Sequence, residues 1–488
     1  MRPNLLIAIL LLGTGAVARA DTLTFTNAAG SGLWSDPLNW DALRVPTGAD
    51  DVVVPASPAS CRITTPSACN GISAGALVVF EAPTQINGPS TFSAGVQLNS
   101  TITGNGDLTF ASSVDWRSGS LEGAGLALVP EGVTIRVVPE GQPTLSRVLE
   151  VFGTIEVDDQ IFRITRPEGL LRIPDTGVLR LMNGGSVLAS QIDGEAFVIS
   201  GALECAGTAT CAVDALFLST ARVSAACPLV ITPPPGNLSP EGVLSGGLWE
   251  TSGEGSIEWS EQSPVLVLDA GTTLRMNGTG SSPTLYGNLR RIDGELLVDA
   301  KDPAVVVRAG ASNPTVITGR VRVAGDSRIS FSTGFVCEPT AILELAPSFV
   351  QPPITALNSV GPAATLDGAL EVLLPTTAPE GCGEYIALIT GAGSFDAMTG
   401  DFDVVSVPPI SLDQPFAYTV ERFLGSVIES VVVYSNSLAD WNLDGGVDSD
   451  DVITYFEDWD RSEADVTGDG GTDGDDIIYF FSRWDQGC

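Results

Sequence analysis

Gly153-Thr-Ile-Glu-Val157, Gly177-Val-Leu-Arg-Leu181 and Gly201-Ala-Leu-Glu-Cys205 are three copies of one pattern: a glycine, then apolar residues two and four positions on. Successive copies lie 24 residues apart. Within each copy the period of two puts both apolar side chains on one face of a strand. The glycine is expected at a corner where the backbone needs positive φ. The unit recurs at Gly106 (Leu108, Phe110), Gly319 (Val321, Val323) and Gly368 (Leu370, Val372), and 106 to 153 and 319 to 368 are close to two such steps. A strand-rich repeat of this length predicts an all-β body, a right-handed parallel β-helix whose coils each contribute about three short strands. Tandem β-sandwiches are the alternative that gives similar alternation. No amphipathic helical pattern of about 10–15 residues precedes residue 440, which argues against an α/β enzyme fold.

Composition agrees. The 488 residues include 54 glycines and 32 prolines, the mark of a turn-rich β chain. Hydrophobic residues make up 44 % and charged ones 17 %, the balance of a folding chain and not of an acidic disordered one. There are 59 acidic residues against 23 basic ones, a formal charge of −36, and no histidine. That removes Ser-His-Asp and Cys-His catalysis and any zinc site that needs an imidazole. So negative a chain repels phosphates, and no nucleic-acid partner is expected.

Arg2, the apolar run from Leu5 to Leu12 and the small-x-small triplet Ala18-Arg19-Ala20 predict a signal peptide over residues 1–20, with Asp21 expected as the first mature residue. The run is shorter than the roughly 20 residues a spanning helix needs, and no later stretch predicts a transmembrane segment. The expected location is secreted, extracellular or at the cell surface. Eight cysteines fit an oxidising compartment. The close pairings are Cys61 with Cys69, Cys205 with Cys211 or Cys227, and Cys337 with Cys382. One middle cysteine and Cys488 are then left over.

Gly32-Leu-Trp34-Ser-Asp-Pro-Leu-Asn39-Trp40, Val45-Pro46 and Asp50-Asp51-Val52-Val53-Val54 resemble the entry segment of exported bacterial surface proteins, such as autotransporter passengers and pectin-lyase-like solenoids. Gly368–Val372, Gly383–Leu388 and Gly393–Phe395 resemble the closing segment of such passengers. Within a cap of about 21–60, Trp34 and Trp40 would cover the apolar end of the first coil. Stacking on a carbohydrate is their alternative role.

The last fifty residues carry a second repeat. Residues 440–451 read Asp-Trp-Asn-Leu-Asp-Gly-Gly-Val-Asp-Ser-Asp-Asp, and residues 465–476 read Asp-Val-Thr-Gly-Asp-Gly-Gly-Thr-Asp-Gly-Asp-Asp. They align without a gap at an offset of 25, with oxygen-bearing side chains at positions 1, 3, 5, 9 and 12 and glycine at position 6. A hard cation such as Ca²⁺ takes about six to eight oxygens. One loop offers Asp440, Asn442, Asp444, the Gly446 carbonyl, Asp448 and Asp451. The other offers Asp465, Thr467, Asp469, the Gly471 carbonyl, Asp473 and Asp476, so two Ca²⁺ ions are expected. After each loop comes one helical stripe, Val452, Tyr455, Phe456 and Trp459, then Ile477, Phe480, Phe481 and Trp484.

Two such loops, each followed by a helix and each ending on Asp, resemble a dockerin, here over residues 436–488. The Gly487-Cys488 ending resembles the GC-type variant seen on exported bacterial surface proteins. The resemblance implies contacts to a cohesin-like or envelope anchoring partner through Ser449 and Asp450 and through Gly474 and Asp475. It leaves residues 21–435 as the solenoid body, joined through Ser435-Asn-Ser-Leu438. The expected function is that of a non-catalytic surface or adhesion-type protein held by its dockerin, with polysaccharide a further candidate partner. The alternative is a polysaccharide-degrading glycosidase or lyase delivered to a cohesin scaffold. Such an enzyme needs paired carboxylates or a base. Asp50-Asp51, Asp158-Asp159 and Lys301, the one lysine, are the groups to consider, and all read as turn residues.

Overall fold

The computed structural model describes residues 20–57, 60–165, 168–190, 197–215, 217–219, 222–232, 234–259, 263–278, 288–299, 306–309, 314–325, 327–347, 357–359, 364–373, 385–392, 398–406, 416–424, 428–437, 439–442, 447–467 and 469–485. The chain divides into two compact units, residues 1–154 with 163–171, and residues 155–162 with 172–488.

In the first unit the alternation becomes three parallel sheets. One stacks Thr22–Thr24, Asp51–Val54, Ile72–Ala74, Ser90–Phe92, Leu108–Phe110, Ala127–Val129 and Val148–Val151. The second stacks Ser60–Ile63, Leu77–Phe80, Val96–Leu98, Val114–Trp116 and Thr134–Val137. The third stacks Ser67–Cys69, Thr84–Ile86, Ile102–Thr103, Ser120–Glu122 and Thr144–Ser146. The chain visits the sheets in turn, so three strands make one coil of a parallel β-helix. Parallel pairing rules out the sandwich alternative, which is built from antiparallel strands. Val78, Val96, Val114 and Ile135 pair in register, as do Phe80, Leu98, Trp116 and Val137, and none is more than 2 % exposed. Each such side chain stabilises the stack by roughly 1.5–3 kcal/mol.

The start of this unit is closed by its own N-terminal segment. Thr22–Thr24 pairs with Asp51–Val53, and Trp34 N donates to Arg62 O (2.9 Å) while Arg62 N donates to Gly32 O (2.8 Å). Trp34 and Trp40 meet edge to face at 4.9 Å, Phe25 lies 5.2 Å from Trp40, and all three are fully buried. Deeper in, fully buried Arg147 donates from Nε to Gly125 O (2.8 Å) and from Nη2 to Gly106 O (2.6 Å), tying three successive coils together.

The second unit repeats the plan with longer strands. Its longest sheet includes Val178–Met182, Ala202–Ala206, Arg222–Ala225, Gly247–Gly253, Thr272–Gly278, Glu295–Val298, Arg320–Gly325, Ile342–Pro347, Ala369–Val372 and Val404–Ser406, all parallel neighbours in that order. Phe416–Leu424 and Ile428–Ser437 depart from it as an antiparallel pair, the latter also antiparallel to Tyr385–Ala392. On the solvent side, Arg180 bridges Glu156 (3.0 Å) and Glu204 (2.9 Å) across neighbouring coils. After Ser437 come two short helices, Ser449–Trp459 and Gly474–Trp484.

Three expectations need correction. The 24-residue step holds for Leu179 opposite Leu203 but not generally: Leu203 pairs with Val223 and Val223 with Trp249, while Val78, Val96 and Val114 are 18 apart. Corners vary in length, so the register is set by strand pairing and not by a fixed period. The Gly106 unit also belongs to a different sheet from the others. Second, of the repeat glycines described, Gly368 alone has positive φ (+73°). Gly201 is required for a different reason: a Cβ there would lie 2.1 Å from Gly177 O, the backbone of the coil beneath. Third, Ser435–Ser437 is the end of a strand and not a linker.

The cysteines divide similarly. Cys205 and Cys227 form a disulfide. Cys61 and Cys69 do not pair: each is a buried free thiol, on strands of two different sheets, with burial pushing both up to about 12. Cys337 is likewise a buried free thiol, and Cys382 and Cys488 lie outside the described residues.

Candidate metal centre in the C-terminal loops

Each short helix begins on an aspartate that caps it. Asp448 and Asp473 accept from the backbone N–H two residues on, Asp450 N and Asp475 N, both at 2.9 Å. The aspartate three residues after each cap reaches back: Asp451 Oδ2 accepts Asp448 N and Asp476 Oδ2 accepts Asp473 N, both at 2.8 Å. These are reciprocal capping boxes, which satisfy the donors left free at a helix start. The apolar stripes then meet. Ala439, Tyr455, Ala464 and Phe480 form a fully buried core, with Val452, Trp459, Ile477, Phe481 and Trp484 packed against it. Tyr455 and Phe480 stack at 4.1 Å, and Phe456 is 39 % exposed at the margin.

The carboxylates at loop position 12 lie beneath the loops. Asp451 is fully buried and its Oδ1 accepts Asn442 N (3.0 Å), linking positions 3 and 12. Asp476, 1 % exposed, does the same in the other loop, accepting Thr467 N and Thr467 Oγ1, both at 2.9 Å. Thr467 Oγ1 also lies 3.4 Å from Asp465 Oδ1, so positions 1, 3 and 12 converge. Asp465 further accepts Asp469 N (3.1 Å) and Gly470 N (2.8 Å), and Asp469 accepts Gly471 N (3.0 Å). Gly470 occupies loop position 6 with φ +93°, a conformation other residues adopt only under strain. Burial works against ionising Asp476, but the N–H groups of Asp473 and Thr467 outweigh it and hold the carboxyl below its ordinary range. Tyr455 is pushed up to about 12 by burial and by the charge of Asp476.

Asp440 is 2 % exposed at position 1 of the first loop, while Asp444 and Gly446 lie outside the described residues. Ser449, Asp450, Gly474 and Asp475 are solvent-facing at the two helix starts. The donor set suits a hard cation: oxygens only, carboxylate-rich, with three of the carboxylates buried. Arg461 pairs with Asp458 and Glu463, outside both loops. Residues 439–488 hold thirteen Asp and two Glu against two Arg, so the loops bring strong self-repulsion.

The other candidates do not assemble into a second centre. Trp34 and Trp40 are buried and offer no face to a sugar. Asp50, 1 % exposed, is held by Arg44 (2.7 and 2.8 Å) and by the Thr47 N–H and hydroxyl (both 2.8 Å), while Asp51 faces solvent and accepts from Asn70 (2.8 Å). Asp159 is a turn residue at φ +46°, and Asp158 accepts from Asn183 (2.8 Å). Lys301 lies outside the described residues. A polar groove of about 600 Å³ does occur in the first unit, lined by Ser112, Ser113, Asp115, Thr134 and Arg136 among others.

The Arg44 guanidinium holds Asp50 well below the usual carboxylate range, against the opposing pull of burial. A depressed folded-state value stabilises fully above the unfolded value, about 3.9, and the gain is lost as pH falls through the folded one. The melting-temperature gap between wild type and Asp50→Asn should therefore be present at neutral pH and close as the solution is acidified below about 3.9. A gap independent of pH would contradict this role.

Among the described residues no helix is long and apolar enough to cross a membrane. Set against protein-family models, curated proteins and solved structures, the chain matches none.

Proposed function

We propose that this chain is an exported, non-catalytic surface or adhesion-type β-solenoid, anchored or assembled at the cell boundary through a calcium-dependent dockerin module at residues 436–488. The observation that carries the reading is the twofold repetition of loop and helix. Asp451 under Asn442 and Asp476 under Thr467 make the same contacts 25 residues apart, each at the start of a capped helix. Asp440, Asn442, Asp444, Gly446, Asp448 and Asp451 would hold one Ca²⁺; Asp465, Thr467, Asp469, Gly471, Asp473 and Asp476 would hold the other. The ions supply positive charge that the loops lack. The exposed pairs Ser449 with Asp450 and Gly474 with Asp475 would then face a cohesin-like or envelope partner.

What the body presents is its outer surface. The polar groove lined by Asp115 and Arg136 is compatible with a hydroxyl-rich ligand such as a polysaccharide, and a carbohydrate-active enzyme is kept as the second reading. A truncation ending at Ser437 keeps the last strand whole. It should be exported and folded yet recovered from the medium, while the full chain stays with the envelope. Equal retention of both would reject the anchor, and glycan depolymerisation by the truncated body would favour the enzyme.

A further inference from the structure

The interior of the second unit gathers three sulfurs. Cys205 lies on Ala202–Ala206, Cys211 opens Cys211–Asp214, and Cys227 lies in the next coil between Arg222–Ala225 and Leu229–Thr232. The three sulfurs are within 4.8 Å of one another, and the residues are 2 %, 0 % and 1 % exposed. Cys205 and Cys227 are bonded, and the free thiol of Cys211 sits 3.5 Å from Cys227 Sγ. Cys205 and Cys211 flank one corner, and Cys227 lies in the corner of the coil stacked on it: Cys205 pairs with Ala225 and Cys211 with Leu229. A bridge from either cysteine to Cys227 therefore joins the same two coils.

We propose that Cys227 is a shared bridging sulfur, and that the coil-to-coil cross-link closes on either Cys205 or Cys211. The two forms interconvert by thiol–disulfide exchange. Cys211 gives up its proton and turns its sulfur into line with the Cys205–Cys227 bond. A Cys211–Cys227 bond forms as that bond breaks, and its electron pair leaves on the Cys205 sulfur, which takes up a proton. One disulfide and one thiol remain, so no oxidant or reductant is consumed. The released thiol has acceptors in place, with Cys205 Sγ 3.4 Å from Cys227 O and 3.6 Å from Pro228 O. Burial raises the Cys211 thiol, so exchange within the closed coil is slow and the choice is made chiefly as the coil forms. A three-sulfur metal site is disfavoured, because it needs the bridge open and several thiolates gathered in an apolar core.

The test maps disulfides in the full chain after acid unfolding with an alkylating agent and proteolysis. Cys205→Ala should carry a Cys211–Cys227 link, and Cys211→Ala the Cys205–Cys227 link. Cys205→Ala with Cys211 and Cys227 both alkylated would overturn the proposal. Should Cys205→Ala fail to fold, wild type refolded from the reduced, unfolded chain in a small thiol–disulfide redox buffer decides. A minor Cys211–Cys227 population supports the shared sulfur, and Cys205–Cys227 alone overturns it.

Discussion

Gly201→Ala should destabilise the solenoid by about 4 kcal/mol or more, in the range reserved for disruptions with one identifiable cause. The new methyl carbon would sit 2.1 Å from Gly177 O and 2.3 Å from Pro174 O. Both obstacles are backbone of the adjacent coil, which cannot rotate away as a side chain would. Moving the coil apart would also separate Leu179 from Leu203 and Leu181 from Cys205, which pair in register and are buried. Denaturant unfolding of the variant against wild type measures the cost. A loss under about 1 kcal/mol, no more than a typical point substitution, would mean that the coils are not stacked this closely.

Chelating calcium should melt the two C-terminal helices and leave the β body folded. Residues 439–488 carry a net charge of −13, and no amount of capping removes that repulsion. An ion bound only by the folded loops stabilises them by mass action, about 4 kcal/mol when its concentration is a thousandfold above the dissociation constant. The buried core is small, four residues with partly exposed neighbours, and contributes little reserve against loss of that energy. Far-UV circular dichroism of the full chain should lose its helical component on chelation and regain it when calcium is restored, with no change when magnesium replaces it at equal concentration. Helices that persist without calcium would show that packing of Tyr455 on Phe480 suffices.

What could be read from the sequence depended on the range of the interaction. The alternation at Leu179, Leu181 and Leu203 is local, and the strands and their inward faces follow from it directly. Coil length is not local: it depends on how many residues each corner takes up, so the step seen from Gly153 to Gly201 did not extend to Val78–Val114 or Val223–Trp249. Of the cysteine pairings, Cys205 with Cys227 is borne out and Cys61 with Cys69 is not, for the same reason. Proximity in sequence brought Cys61 and Cys69 to different sheets, while the bonded pair, Cys205 and Cys227, is one coil apart. Arg147 carried no signal, since an arginine between Ser146 and Val148 in a strand-like run reads as solvent-facing; only the stacked carbonyls of Gly106 and Gly125 explain its burial. In the C-terminal loops the repeated spacing of oxygen-bearing residues is legible because it is local in the sequence. The capping boxes at Asp448 and Asp473 are equally local, an acidic residue three positions after a capping aspartate, and they use the same residues as the proposed metal ligands.

The most direct test of the account is the number of calcium ions that the full chain binds at equilibrium. Titration calorimetry on the intact protein should find two per chain, and Asp440→Ala together with Asp465→Ala, which removes the first carboxylate of each loop, should find none while the solenoid stays folded. Fewer than one ion per chain in the wild type, or binding undiminished in the double variant, would contradict the calcium module and with it the proposed means of anchoring.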